Sequence, residues 1–220
     1  MAPAQTAESV TSDRIIAAAT RLFAERGYAG TSVQAIADAV GLRKQSLLHW
    51  FPTKPHIRDA VLDTILDHWR ETVPRALAAA TKGTHRFEGL IGEVITFFSA
   101  DPDRARVLLR ESLDRPEAFR KRLSERLTPW LPLVTDAIRT GQASGRVHAN
   151  LDPEVYLVEL VLMVVASFAV DSVALSLIDG TPAELRKRRD AEIVRLARAA
   201  LFRSRPVPVS QPGGPDVSPE

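Results

Sequence analysis

The chain of 220 residues contains no cysteine. Disulfides, thiolate zinc sites and cysteine nucleophiles are therefore excluded. It also lacks the alternation of apolar and polar residues that would mark a β-strand, and it has no internal repeat. An excess of charge of either sign is lacking: the formal net charge is +2, although the sequence pI is about 9.2. Whole-chain charge is thus a weak argument for a nucleic-acid partner, and local clustering must carry any such case. The five histidines, His49, His56, His68, His85 and His148, have no metal-ligand spacing. No Ser/His/Asp spacing and no phosphate-binding glycine loop is present, which points away from an enzyme, a metal or a cofactor. The N-terminal segment has no basic stretch followed by an apolar core, so it does not read as a secretory signal, and a cytoplasmic location is the expectation.

Long uninterrupted apolar runs are missing too. Val155 to Ile178 is nearly all apolar, but Glu159 and Asp171 interrupt it. A span of hydrocarbon roughly 30 Å thick needs about 20 apolar residues. An acidic residue near the bilayer centre costs roughly 3 kcal/mol. The segment therefore reads as a buried or interface helix, not a membrane span.

What is present is helical periodicity from end to end. At 45% hydrophobic and 25% charged, the chain can bury a substantial core. The expected fold class is all-α with about nine helices. Residues 1–11 read as a disordered arm. The first helix starts near Thr11 or Ser12, carries Ile15, Ile16, Ala19, Leu22 and Phe23 on one stripe, and ends at Gly27. The second begins at Thr31, where Thr31 and Gln34 have the spacing of a capping box, and ends at Gly41. The third runs from about Arg43 to Trp50, before Pro52. A fourth, long helix follows Thr53 and Pro55, with Ile57, Val61, Ile65, Leu66 and Trp69 on its apolar face. Further helices carry Phe87 to Phe98, and open at Asp101-Pro102. A face from Phe119 to Ile138 breaks near Thr128 under Pro129 and Pro132. Asp152-Pro153 starts a helix expected to reach Ile178, and Thr181-Pro182-Ala183-Glu184 starts the last one. From Arg203 the proline-rich tail reads as disordered.

The stretch from Thr31 to Phe51 is therefore two short helices around a glycine turn, the second rich in polar and basic side chains. That is a helix-turn-helix arrangement for placing side chains in a DNA major groove. Local charge agrees. Between Ser12 and Ala60, Arg14, Arg21, Arg26, Arg43, Lys44, Lys54 and Arg58 outnumber Asp13, Glu25, Asp38 and Asp59.

The region from Asp13 to about Val61 resembles the TetR family of bacterial transcriptional regulators. The residues carrying the resemblance are RIIAAATRLFAERGYAGTSVQAIADAVG followed by KQSLLHWFPTK. It implies an N-terminal DNA-binding domain over residues 12–60, with the helix-turn-helix at 32–51. It also implies a C-terminal ligand-binding and dimerisation domain over 61–203, and a homodimer through the last two helices at about 153–178 and 182–202. The implied function is a regulator, most simply a repressor, that binds a palindromic double-stranded DNA operator and is released by a small-molecule effector. An activator with the same head, or a helical interaction or membrane-associated protein that has lost DNA binding, are the alternatives.

Arg43, Lys44, Gln45 and Ser46 are the candidate base and phosphate contacts. His49 and Trp50 sit at the end of the same helix. Thr31 and Ser32 are placed to donate to a phosphate at a helix N-terminus, and Lys54 to make a second phosphate contact. Val33, Arg43 and Leu48 depart from the family's usual residue types, with Leu48 suited to a thymine methyl. For the effector, the candidates are Trp69, Phe97, Phe98, Trp130 and Met163 as apolar lining. Arg110, Ser167 and Asp171 are the candidate polar contacts. Whether Asp171 and Glu159 face a pocket or a dimer interface is left open by sequence.

Overall fold

A computed structural model describes residues 3–79 and 83–203. The tail at 204–220 lies outside the described residues, as do the first two residues of the N-terminal arm. Eleven α-helices follow in order among the described residues. They are α1 (Pro3–Gly30), α2 (Val33–Ala39), α3 (Lys44–Trp50), α4 (Lys54–Ala79), α5 (Gly83–Ala100), α6 (Asp103–Asp114), α7 (Pro116–Leu127), α8 (Leu131–Ala143), α9 (Pro153–Ala169), α10 (Asp171–Ala174) and α11 (Pro182–Leu201). A 3-10 turn at Leu175–Leu177 separates the last two. The only β pairing described is an isolated antiparallel bridge between Val147 and Phe202. The all-α expectation is met.

The head is built from α1 to the start of α4. Ile15, Ala19, Leu22 and Phe23 of α1 meet Ile36 and Ala37 of α2, Leu47 of α3, and Ile57 and Val61 of α4 in one core. Leu47 is fully buried; burying a leucine contributes roughly 1.5–3 kcal/mol relative to leaving it exposed. Glycines supply the two turns. Gly27 leaves the helical conformation at φ 72° and ends the regular part of α1. Gly41, at φ 71°, closes α2: its N–H donates to the Asp38 carbonyl, and the Leu42 N–H to that of Ala37. This pairing satisfies carbonyls that a helix end leaves orphaned. Arg14 adds a third, donating from Nη2 to the Val40 carbonyl at 3.0 Å.

Three boundaries differ from expectation. First, α1 begins at Pro3, so residues 3–11 continue the helix instead of forming a loose arm. Proline suits a first helical turn, and no glycine or further proline interrupts the chain before Gly27. Second, Thr31 does not cap α2. The cap is Ser32, whose Oγ accepts from the Ala35 N–H at 3.0 Å. Third, the helix from Pro153 does not reach Ile178. It stops at Ala169, Val170 takes φ −113° and ψ 17°, and the chain turns by 73° into α10 and the following turn. No single described helix is long and apolar enough to cross a membrane.

The core beyond the head is organised on α6 and α9. Helix α6 packs on α1 at one side and on α9 at the other, while α9 also packs on α5 and α8. Helix α4 joins the two regions and is held along α7 by a ladder of ion pairs. Arg122 pairs with Asp59 at 3.0 Å and also with Asp63; Arg126 pairs with Asp63 at 3.0 Å and Asp67 at 2.7 Å. The spacing of four residues on each helix places these groups on facing stripes.

Candidate nucleic-acid interface and internal cavity

Helix α3 is anchored through its one fully buried side chain, Leu47, and turns its first residues outward. Arg43, Lys44, Gln45 and Ser46 are exposed, as is His49, while Leu48 and Trp50 are half-buried. Arg43 stands at the N-cap with no side-chain capping bond. Neither Arg43 nor Lys44 takes part in an ion pair among the described residues. Ser32 is exposed at the start of α2, with Val33 half-buried beside it.

Thr31 belongs elsewhere. It is fully buried, and its hydroxyl lies 3.0 Å from the Leu22 carbonyl and 2.9 Å from that of Gly27. It ties off the end of α1 and cannot reach a phosphate. The sequence assigns it to DNA because a threonine before an apolar helix is the usual sign of a cap. The neighbouring serine takes that role.

Lys54 is half-buried and sits over the ring of Tyr28, its Nζ 4.2 Å from the centroid. Arg115, at the α6–α7 junction, stacks on the same ring at 3.9 Å, and Arg58 approaches it at 5.4 Å. Burial, and secondarily the charge of Arg115, lowers the Lys54 pKa from its ordinary value. Tyr28 thus gathers three cations from two regions of the chain. Glu111, buried one turn before Arg115, pairs with it at 3.0 Å. Arg110 contributes a further link, donating from Nε to the Ala24 carbonyl at 3.1 Å. Sequence reasoning assigned Arg110 to an effector and missed the Tyr28 cluster, since neither contact follows from local spacing.

A partly open cavity of about 860 Å³ is bounded by α4 to α9 and the end of α11. Trp69, Phe98 and Trp130 line it as expected. Phe119 of α7, Ile138 of α8 and Tyr156 of α9 line it as well, and sequence reasoning missed them as lining residues. Tyr156 was the detectable signal: it is the one tyrosine in a helix made mostly of aliphatic residues. Its hydroxyl donates to the Ala197 carbonyl at 2.8 Å, and burial raises its pKa.

Other candidates lie off this wall. Phe97 is buried in an aromatic stack, 4.2 Å from His68 and 4.8 Å from Trp69 between ring centroids. Burial, then the charge of Arg104, lowers the His68 pKa. Met163 and Ser167 lie on a separate groove between α9 and α11, beside Leu185 and Ile193. Helical periodicity explains the split, because Leu157, Leu160 and Val164 take the cavity side.

Asp171 faces neither cavity nor solvent. It is buried, with Arg106 at 3.4 Å, Arg186 at 3.5 Å and Arg189 at 3.6 Å. Arg189 also stacks on Phe168 at 3.8 Å, and Arg106 donates to the Ala169 carbonyl at 3.2 Å. The buried acid is paired, as burial requires. Glu159 is exposed on α9. The same outer face carries Val155, Val158 and Leu162, which are 57%, 52% and 54% exposed. Leu177 and Ile178 continue the apolar surface beyond the bend.

Comparison with known proteins agrees with this layout. Residues 15–61 match the description of bacterial regulatory proteins of the tetR family, and residues 107–198 match a tetracyclin repressor-like C-terminal domain. The transcriptional repressor KstR2 of Mycolicibacterium smegmatis is 26% identical over 147 residues, which are 64% of this chain and 69% of that protein. The transcriptional regulator RutR of Escherichia coli is 40% identical over 63 residues, 29% of this chain and 30% of its own length. The fold is similar to that of AibR, solved with isovaleryl coenzyme A and operator DNA, with a TM-score of 0.64 at 20% identity, covering 82% of this chain and 96% of AibR. The head core, the outward-facing third helix and both family matches converge: this chain belongs to the TetR family of transcriptional regulators.

Proposed function

We propose that the chain is a ligand-responsive repressor that binds a palindromic operator as a homodimer in the cytoplasm and is released by a small molecule. The observation that carries it is the division of labour along α3. Leu47 fixes the helix, while Arg43, Lys44, Gln45 and Ser46 stand exposed, with both cations free of ion pairs among the described residues. In this reading α3 enters the major groove. Arg43 and Lys44 reach phosphate or guanine, Gln45 reads adenine, and Ser32, His49, Trp50 and Lys54 contact the backbone. Val33 and Leu48 supply apolar contact beside them.

The exposed apolar face of α9, continued by Leu196 of α11, is the homodimer interface, because a surface of that kind is seldom left to water. The head comprises residues 12–60 and the effector and dimerisation domain 61–203. Two heads held roughly 34–36 Å apart would read two half-sites. An effector in the cavity touches Leu66, Trp69 and Val73 of α4, the helix that begins directly after α3. It need only favour one tilt of α4 to change the spacing of the heads.

The test is fluorescence anisotropy on duplexes from the upstream region of the chain's own gene. Binding is expected to weaken steeply as salt rises. Lys44→Ala, at an exposed position, is expected to weaken operator binding about 10-fold with the fold intact by circular dichroism. Salt-insensitive binding, or none, would exclude the proposal.

A further inference from the structure

The cluster on Tyr28 holds more cations than it neutralises. Arg115, Lys54 and Arg58 lie 3.9, 4.2 and 5.4 Å from the ring centroid. The ring attracts each of them, but they repel one another. Two have a carboxylate: Arg58 pairs with Asp59 at 2.7 Å, and Arg115 with Glu111 at 3.0 Å. Lys54 takes part in no ion pair among the described residues. Burial, and then the charge of Arg115, disfavours its ammonium form. An anion outside the chain is the counter-charge that this lysine lacks.

Arg115 sets that balance because it is held from both sides. It is the one non-helical residue between α6 and α7, at φ −144° and ψ 59°, closing the first helix and opening the second. Its N–H donates to the Glu111 carbonyl at 3.0 Å, and its own carbonyl accepts from the Phe119 N–H at 3.0 Å. The Glu111 residue is 6% exposed. A carboxylate so buried requires a cation, and Arg115 is its ionic partner among the described residues. Arg58 is engaged by Asp59. With Arg115 gone, Lys54 is the cation on the ring that is free to turn to Glu111.

Building on the regulator reading of the proposed function, we propose that Arg115, although it lies in the C-terminal region, is a positioning residue of the DNA interface: by occupying Glu111 and the Tyr28 ring, it keeps the Lys54 ammonium available to an operator phosphate. The phosphate supplies the missing counter-charge. Arg115 itself touches no DNA. Residues beyond the head thus determine how many phosphates the head engages.

The test uses the full chain on the same upstream duplexes, and reads both the affinity and the slope of its logarithm against that of salt concentration. Lys54→Met is expected to weaken binding about 10-fold and to make the slope shallower by about 2 per dimer, one phosphate contact for each protomer. Arg115→Gln keeps an amide donor for Glu111 but no charge, and is expected to reproduce both changes. The two substitutions together are expected to cost no more than Lys54→Met alone, because they act through one contact. Glu111→Gln added to Arg115→Gln removes the acid that captures Lys54, and is expected to restore the wild-type slope. A purely structural role for Arg115 would move neither the slope nor its recovery. A wild-type slope in Arg115→Gln, losses that multiply in the double variant with Lys54→Met, or no recovery with Glu111→Gln overturns the proposal. Should Arg115→Gln fail to fold by circular dichroism, the Glu111→Gln/Arg115→Gln variant, which leaves no charge at either position, carries the test. Adding Lys54→Met must then change its slope as much as in wild type, and a smaller change overturns the proposal. Wild type that binds no duplex overturns the regulator reading itself, whereas the other outcomes leave that reading standing.

Discussion

Single residues show how one hydroxyl can change its role. Thr31 and Ser32 are adjacent, small and hydroxyl-bearing, yet one is fully buried and the other exposed. The Thr31 hydroxyl serves two carbonyls of α1, at Leu22 and Gly27. Thr31→Val keeps the shape and removes the donor, leaving both carbonyls without it. A loss of about 1–3 kcal/mol is expected in urea unfolding, with the operator affinity of the folded protein unchanged. Ser32→Ala should cost about 1 kcal/mol through the lost cap and should also weaken operator binding, because Ser32 alone of the pair is exposed. Measuring both quantities for both variants separates a structural hydroxyl from a DNA-facing one.

At the scale of elements, the decisive feature is the break between α9 and α10. Composition gives no reason for a helix to stop inside an apolar run, and β-branched residues there are tolerated in helices. The break follows from Asp171. Three arginines, one from α6 and two from α11, converge on its carboxylate, and Arg106 also takes the carbonyl at the end of α9. Asp171→Ala leaves Arg189, whose side chain is 10% exposed, with Asp190 as its one remaining ionic partner among the described residues. Arg106 and Arg186 are better solvated, so a loss of about 1–3 kcal/mol is expected by chemical denaturation, below that of a buried charge left with no partner. An effect below about 0.5 kcal/mol, the scale of an exposed pair, would show that the cluster does not hold the bend.

For the whole molecule, α6 is the element through which distant parts meet. Arg106 bonds the end of α9, Arg110 the end of α1, and Arg115, directly after the helix, stacks on Tyr28 beside Lys54. In the proposed homodimer the outer face of α9 forms the interface. Val158→Glu places a charge at a position 52% exposed in the monomer and off the cavity wall, so the monomer itself should tolerate it. The expected outcome is a shift from dimer to monomer in sedimentation velocity, with helical content retained and operator affinity reduced at least 10-fold through the loss of bivalent contact. A variant that remains dimeric at micromolar concentration would move the interface away from this face.

Sequence by itself determined the all-α class, the helix-turn-helix and most helix boundaries. These rest on local physics: apolar residues at helical spacing, glycines at Gly27 and Gly41 with positive φ, and prolines or acids at helix starts. It also picked out the exposed basic start of α3, because that site lies within one contiguous stretch. Trp69, Phe98 and Trp130 on the cavity wall were legible from size and helix face alone. Tertiary structure decided the rest. Which of two adjacent hydroxyls was buried depended on how α1 ended against α2. Where Asp171 pointed depended on arginines 15 to 65 residues away along the chain. Arg110 looked like a polar group for a ligand until α1 supplied the Ala24 carbonyl. Short-range periodicity fixes which face of a helix is apolar, but the partner of a buried charge comes from elsewhere in the chain, and no local pattern encodes it.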